Sequence, residues 1–173
     1  MNRQEILAAV TALHQRIDRE TAPLNQQHAA RLKCRLGCSA CCVDDLTVFA
    51  VEALAITANY PDLLAEGEPG PRGACAFLDR QGACRIYAHR PYVCRTQGLP
   101  LRWLEEDEDE LVEYRDICPL NEQGPPLESL EPEDCWTLGE AEGELAQLQI
   151  AVDKRMKRVA LRDLFTRPGQ DSL

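Results

Sequence analysis

The chain has 173 residues, a formal net charge of −10 at pH 7, 45% hydrophobic residues and 9 cysteines. This length predicts a single domain, residues 1–173. The acidic balance argues against a nucleic-acid partner, because phosphates require a clustered basic surface. The N-terminus lacks a secretory pattern and no apolar run is long enough to span a membrane, so we expect a cytoplasmic protein with no membrane partner.

The first third of the chain predicts three helical segments. Apolar residues recur at helical spacing between Arg3 and Arg19, which indicates an amphipathic helix. We expect Pro23 to interrupt this helix and to begin a second, short helix that runs toward Leu32. After a cysteine-rich stretch, Thr47 is the predicted N-cap of a third helix. Its predicted apolar stripe is Val48, Val51 and Ala55.

The remainder of the chain predicts a loop, two hairpins and a long helix. Glycine and proline between residues 67 and 73 indicate the loop. Residues 75–87 and 99–119 predict the hairpins, the second with an acidic tip between Glu105 and Glu110. Thr137 and Glu140 form a capping-box pattern for the last helix, which packs within the chain or forms a homodimer seam. The apolar face of that helix is Leu138, Leu145, Leu148, Val152, Met156 and Val159.

These elements predict a mainly α-helical fold with small β-hairpins. The N- and C-terminal helices, in residues 1–33 and 134–166, would pack around an irregular cysteine-rich metal-binding centre, residues 34–118. The centre is rich in glycine and proline and poor in apolar residues. Burial alone is therefore not expected to order it, and bound metal is the expected source of order.

The cysteines carry the strongest functional signal in the sequence. The stretch "CRLGCSACC" places four of them within residues 34–42, at spacings typical of metal thiolates and iron–sulfur ligands. On a continuous helix the same four would share one face and form a core stripe, but further cysteines downstream favour ligands. Cysteine in a reducing cytosol also more often binds metal than forms disulfides. The predicted ligands are Cys34, Cys38, Cys41, Cys42, Cys75, Cys84, Cys94 and Cys118.

Adjacent Cys41 and Cys42 rarely serve one tetrahedral ion, because neighbouring side chains usually diverge. One of them is free to ligate with the downstream cysteines, and the spacing leaves the division open. His28 and His89 are candidate neighbours for a nucleophilic cysteine. Basic residues near the cysteines would favour thiolates and donate to sulfur, or are solvated surface charges. These residues are Arg31, Lys33, Arg35, Arg85, Arg90 and Arg95.

Two motifs together resemble a known family. "CRLGCSACC" followed by "CAFLDRQGACRIYAHRPYVCR" is similar to the CxxCxxCC, or YkgJ-type, cysteine-cluster family of zinc- or iron-chelating proteins. The resemblance covers residues 34 to about 118 and implies a metal site of some eight cysteines. Cys118 is the looser match. Cys135 has no counterpart and is expected to be structural or free.

The main functional hypothesis is a metal-binding protein that holds an iron–sulfur cluster or zinc through cysteine thiolates. Its role would be redox, electron transfer or structural, and a redox role implies a protein redox partner. The adjacent cysteine pair favours an iron–sulfur cluster over two mononuclear zinc ions. The alternatives are a purely structural zinc domain and an enzyme or enzyme subunit. Because some members of the family are related to flagellin lysine methylation, the resemblance suggests methyl transfer to a protein lysine, although no catalytic motif is identified.

Overall fold

A long N-terminal helix organises the first part of the fold. In the computed structural model, which describes residues 1–35, 37–107 and 110–165, helix α1 extends over Arg3–Gln27. The Asn2 side chain accepts the Glu5 N–H at 3.0 Å, and the Glu5 carboxylate accepts the Asn2 N–H at 2.8 Å. This reciprocal cap satisfies two backbone donors at the helix start. The buried face of α1 is Ile6, Val10, Leu13, His14, Ile17, Thr21 and Leu24.

The other elements are short and are joined by irregular segments. In chain order they are β1 (Thr47–Phe49), α2 (Ala50–Asn59), α3 (Pro61–Glu66), α4 (Tyr92–Thr96), β2 (Leu101–Asp107), β3 (Glu110–Asp116), β4 (Trp136–Thr137), α5 (Glu140–Val152) and β5 (Arg158–Ala160). Turns of 3₁₀ helix lie at Tyr87–His89, Pro119–Asn121, Leu127–Ser129, Pro132–Asp134 and Leu161–Phe165. The described part of the chain is therefore mixed α/β rather than mainly α. None of the helices in these ranges is long and apolar enough to cross a membrane.

Two small sheets connect distant parts of the chain. β1 pairs with β5 in antiparallel fashion, with Val48 opposite Val159. In the second sheet the order is β3-β2-β4: β2 and β3 form the predicted antiparallel hairpin, and β4 lies parallel to β2. The acidic tip of that hairpin falls partly outside the described residues. The C-terminal tail after residue 166 falls wholly outside them.

The first hydrophobic core lies where α1, α2, α4 and α5 pack together. A buried polar network runs through it. The carboxylate of Glu52 accepts the Tyr92 N–H at 2.7 Å and lies 3.1 Å from His14 Nε2. The Trp136 indole N–H donates to the Tyr92 hydroxyl at 2.9 Å. Because Tyr92 opens α4, this network fixes the short helix that carries Cys94.

A second core lies under the cysteine-bearing loops, so the central segment has more apolar packing than its composition predicts. Fully buried Phe77 is at its centre, and the Phe165 ring lies 4.9 Å from it, centroid to centroid. Ile86 and Leu161 belong to the same cluster. Apolar residues are few within the central segment itself, but residues 159–165 also contribute side chains to this core.

Three predictions for the N-terminal half of the chain are wrong. Pro23 does not interrupt the first helix, because the buried face of α1 continues on both sides of it and offsets the cost of a missing N–H. Thr47 begins strand β1 and does not cap α2, whose N-cap is Phe49. Residues 75–87 do not form a hairpin of strands. They form a tight turn with a single bridge between Leu78 and Cys84.

The last predicted helix is too long. Helix α5 ends at Val152, and Val159 lies in β5 while Met156 has a positive φ of 50° in the connecting turn. Sheet pairing of β5 with β1 therefore overrides the helical periodicity. The capping box is also misplaced: Gly139 is the N-cap, and its N–H donates to the Glu142 carboxylate at 2.7 Å.

Candidate metal centre

The first four cysteines lie on successive turns between α1 and β1. The Cys38 N–H donates to the Arg35 carbonyl at 2.8 Å, and the Cys42 N–H donates to the Ser39 carbonyl at 2.9 Å. The segment is therefore not a continuous helix, so the core-stripe alternative is wrong. Exposure differs along it: Cys41 is exposed, whereas Cys42 is half-buried against the second core.

The next three cysteines come together with Cys42. The Cys75 N–H donates to the Cys42 carbonyl at 2.9 Å, and Cys84 follows after the tight turn closed by its bridge to Leu78. Cys75 is buried in the second core, and Cys42 and Cys84 pack against that core. Cys94 lies in α4. We call Cys42, Cys75, Cys84 and Cys94 the inner set.

The electrostatics of the inner set show that its thiols are neighbours. Burial raises the pKa of Cys94 to about 12, and the thiols of Cys75 and Cys84 contribute to the increase. The hydrogen bond with Cys41 raises the pKa of Cys42, and burial and the thiols of Cys75 and Cys94 raise it further. Each thiol penalises ionisation of the others, because like charges close together are unfavourable. A bound cation would remove this penalty.

A second group of cysteines, which we call the outer set, consists of Cys34, Cys38 and Cys118. The Asn121 side-chain N–H groups donate to the Gly98 carbonyl at 2.9 Å and to Cys34 Sγ at 3.5 Å. The backbone N–H of Asn121 donates to the Cys118 carbonyl at 2.7 Å. Burial raises the pKa of Cys34, and the nearby thiols of Cys38 and Cys118 add to this.

Gly98 allows the close approach of Cys34. It has a φ of +94°, and a Cβ atom at this position would overlap Cys34 Sγ and lie 3.1 Å from Asn121 Nδ2. Asn121 itself is completely buried, and its side-chain oxygen accepts the Lys33 N–H at 2.7 Å. The sequence analysis missed both residues, because no local spacing connects position 98 or 121 to the cysteines.

Cys41 lies between the two sets. The Cys42 thiol donates a hydrogen bond to it and the Arg90 guanidinium lies nearby, so that the pKa of Cys41 is lowered to about 6. The Cys41 thiol also contributes to the raised pKa values of Cys34 and Cys94. It is therefore close to a member of each set.

Arg90 is the cation most directly associated with the inner set. Its guanidinium lies 4.1 Å above the ring centre of Tyr87, and its charge lowers the pKa values of Cys41, Cys84 and Cys94 against the effect of burial. Arg90 Nε is buried and has no hydrogen-bond partner in the part of the chain that the structure describes. A buried donor without a partner is costly, and a negatively charged metal thiolate would satisfy it.

Other candidates from the sequence have structural partners. Arg31 donates to the Asn121 carbonyl at 3.0 Å, Arg85 donates to the Ala76 carbonyl at 2.7 Å, and Arg95 pairs with Asp18. His28 Nε2 lies 2.7 Å from the Asp134 carbonyl, and His89 Nδ1 lies 2.9 Å from the Tyr60 hydroxyl. These bonds give neither histidine a cysteine partner. Cys135 is buried beside Trp136, in the first-core region.

The donor chemistry fits a thiolate-bound metal. Thiols from three separate chain segments are neighbours, a glycine leaves space for Cys34 Sγ, and a buried guanidinium N–H beside the thiols lacks a partner. Within the described ranges, no group of three or more Cys, His, Asp or Glu side chains is placed to hold a metal ion directly. Each cysteine has one side-chain torsion with three staggered positions, so its sulfur can change position without backbone movement.

Fold and centre together define a small mixed α/β protein with a cysteine-rich site of the metal-binding type. The model of the CxxCxxCC family, described as a putative zinc- or iron-chelating domain, matches residues 33–119. This match spans half of the chain, and the chain belongs to this family. It contains all the predicted ligand cysteines, excludes Cys135 and supports metal binding through cysteines. No curated protein and no solved structure matches the chain.

Proposed function

We propose that this protein is a cytoplasmic metalloprotein that holds an iron–sulfur cluster, or zinc, through the thiolates of the inner set, the outer set and Cys41. Its role would be redox, electron transfer or structural. One observation carries the proposal. The carbonyl of Cys42, on the first cysteine segment, accepts the Cys75 N–H at 2.9 Å, and Cys42 and Cys84 both pack against the second core in which Cys75 is buried.

The surroundings of the inner set support a metal ligand role over a reactive thiol. Burial keeps the inner thiols protonated in the absence of metal, since it raises the pKa values of Cys75, Cys84 and Cys94. A nucleophilic cysteine instead requires a readily formed thiolate that substrate can reach. Bound metal would replace these protons and receive the negative charge of the thiolates.

The charge balance around the inner set supports the same conclusion. Four thiolates exceed the charge of one divalent ion, so their site remains anionic after binding. The Arg90 guanidinium is the cation placed to compensate this charge, with Tyr87 covering its face. A bound iron–sulfur cluster would supply one-electron chemistry, whereas zinc would supply a redox-silent structural link.

The test is anaerobic purification of the full chain followed by metal analysis, sulfide analysis and a visible absorption spectrum. Iron with acid-labile sulfide supports the iron–sulfur form of the proposal. Stoichiometric zinc in a colourless protein supports the structural form. Full-length Cys84→Ser should lose metal, while Cys135→Ser serves as the matched control and should keep it. A parent protein that binds neither iron nor zinc, or a Cys84→Ser variant with the parent's metal content, refutes the proposal.

A further inference from the structure

We propose that the eight cysteines form two separate four-thiolate sites and that the adjacent pair is divided between them. Cys42 joins Cys75, Cys84 and Cys94 in an inner site. Cys41 joins the outer set in an outer site. This inference rests on the proposed function and specifies how its ligands are arranged.

The inner site is defined by packing as well as by sulfur proximity. Cys75 is buried in the second core with Phe77, and Cys42 and Cys84 pack against that core. The backbone bond from Cys75 to Cys42, 2.9 Å, fixes the two chain segments against each other. Cys94 enters from α4, which the buried carboxylate of Glu52 holds through the N–H of Tyr92. Packing and hydrogen bonds therefore hold the segments that carry these four cysteines.

The outer site is defined by Asn121. Its side chain contacts Cys34 Sγ and its backbone N–H contacts the Cys118 carbonyl, so one buried residue links two ligand segments that are far apart in sequence. The same side chain accepts the Lys33 N–H and donates to the carbonyl of Gly98. In contrast to the inner set, Cys34 is exposed and is not part of the second core.

Cys41 is assigned by coordination number. Structural zinc sites and cubane iron–sulfur clusters both take four protein thiolates, and the inner set has four without Cys41. The outer set has three, so one of its four ligands has to come from outside that set. Cys41 is also exposed like Cys34, whereas Cys42 packs against the second core. The contact of Cys41 with the Cys42 thiol then places the two sites side by side.

The two sites differ in access, so they should differ in metal exchange. Metal at the inner site would lie against the second core, whose centre is fully buried Phe77, and one of its ligands, Cys75, is itself buried. Metal at the outer site would have two exposed ligands, Cys34 and Cys41. Chelators and thiol reagents reach exposed sulfur first. We therefore expect one labile and one resistant metal equivalent in the same chain.

The decisive experiment compares pairs of substitutions in the full chain. Metal-free protein is reconstituted anaerobically with Zn²⁺, and bound zinc is counted by native mass spectrometry. The parent should bind two zinc ions. Cys41→Ser with Cys118→Ser removes two ligands of one site and should leave one zinc, as should Cys42→Ser with Cys84→Ser. Cys41→Ser with Cys84→Ser damages both sites and should leave none.

The opposite pattern overturns the division. If Cys41 belonged to the inner site, the Cys41/Cys84 double variant would keep one zinc and the Cys41/Cys118 double variant would lose both. A single site formed by all eight cysteines would make the Cys41/Cys118 and Cys42/Cys84 variants lose all metal. A parent that binds no metal under any condition refutes the proposed function instead, so the two failures are distinguishable.

A measurement on the parent protein does not depend on whether the variants fold. Zinc-loaded full-length chain is exposed to a chelator together with N-ethylmaleimide, and labelling of each cysteine is followed by fragmentation mass spectrometry. Each rate is divided by the rate of the same cysteine in metal-free protein; on this scale Cys41 should be labelled with the time course of Cys118, and Cys42 with the later time course of Cys84. A common time course for all four, or co-labelling of Cys41 with Cys84, contradicts the two-site arrangement.

Discussion

Substitution of Gly98 by alanine tests the connection between the backbone and Cys34. Alanine adds one methyl group, which would overlap Cys34 Sγ and lie 3.1 Å from Asn121 Nδ2. Gly139 is a matched control. Its φ of +113° is also in the left-handed region, but a Cβ there would have nothing within 4 Å. The comparison separates the local contact from the backbone strain that both alanines would share.

The expected stability costs follow from the two environments. An L-residue in a sparsely populated backbone conformation costs about 1–3 kcal/mol, and both substitutions carry a cost of this kind because both glycines have a positive φ. Overpacking adds about 1–3 kcal/mol at a tightly packed site. This second cost applies only to Gly98, because Asn121 is completely buried and is held by several hydrogen bonds. Gly98→Ala should therefore unfold about 1–3 kcal/mol more easily than Gly139→Ala, roughly 5- to 140-fold in the equilibrium constant.

Two assays measure these effects. Urea unfolding of the metal-free variants gives the free-energy difference, and zinc counting in the reconstituted variants gives the state of the outer site. Gly98→Ala should displace Cys34 Sγ and lose one zinc, while Gly139→Ala should keep both. If the two variants match in unfolding free energy and in zinc content, the close packing of Cys34 against Gly98 is wrong.

Three further predictions concern the charge, reactivity and packing of the centre. In Arg90→Gln the inner site should bind metal about 10–100-fold more weakly than in the parent, as is typical when a neighbour of a ligand is removed. Titration with a competing chelator measures this difference. Arg158→Gln, which loses a similar contact with an aromatic ring, should match the parent in chelator titration. In metal-free protein the pKa of Cys41 is lowered to about 6 and that of Cys94 is raised to about 12. Cys41 is then a thiolate above about pH 6. Alkylation monitored by mass spectrometry should modify Cys41 at pH 7, while Cys94 stays unmodified until far higher pH. Identical pH profiles for the two cysteines would contradict these pKa assignments. Finally, Glu52→Ala should lower the urea-unfolding free energy by roughly 2–6 kcal/mol, since each buried hydrogen-bonding group left without a partner costs about 1–3 kcal/mol. An unfolding curve like the parent's would show that this buried network does not stabilise the first core.

Local patterns in the sequence predicted the elements that local forces determine. The helical spacing of apolar residues located α1 correctly over its first part, and the stretch around the acidic tip was correctly predicted to form the β2–β3 hairpin. Periodicity failed where tertiary pairing was stronger. The helical spacing of the sequence places Val159 on the apolar face of α5, but Val159 pairs opposite Val48 in the first sheet. The local pattern contains no trace of that distant strand.

The candidate site divides in the same way. Cysteine spacing and the two motifs selected the ligand candidates, because metal thiolates come from cysteines a few residues apart. The partition of Cys41 from Cys42 depends on which side of the chain each thiol faces, and only three-dimensional packing determines that. Asn121 acts through contacts with Cys34, Gly98 and Cys118. Such a residue has no signature in a single sequence.

The position of Phe165 has a consequence for how the protein is made. Its ring packs on Phe77 at the centre of the second core, yet it lies far beyond residue 119, where the family match ends. During synthesis, all the ligand cysteines therefore leave the ribosome before the residues that enclose the inner set. At about 5–20 residues per second, the interval between Cys118 and Phe165 lasts roughly 2–9 s. For that time the nascent chain presents its thiols without the Phe165 side chain that completes the second core, so the proposed metal loading of the inner set would be completed only at the end of translation.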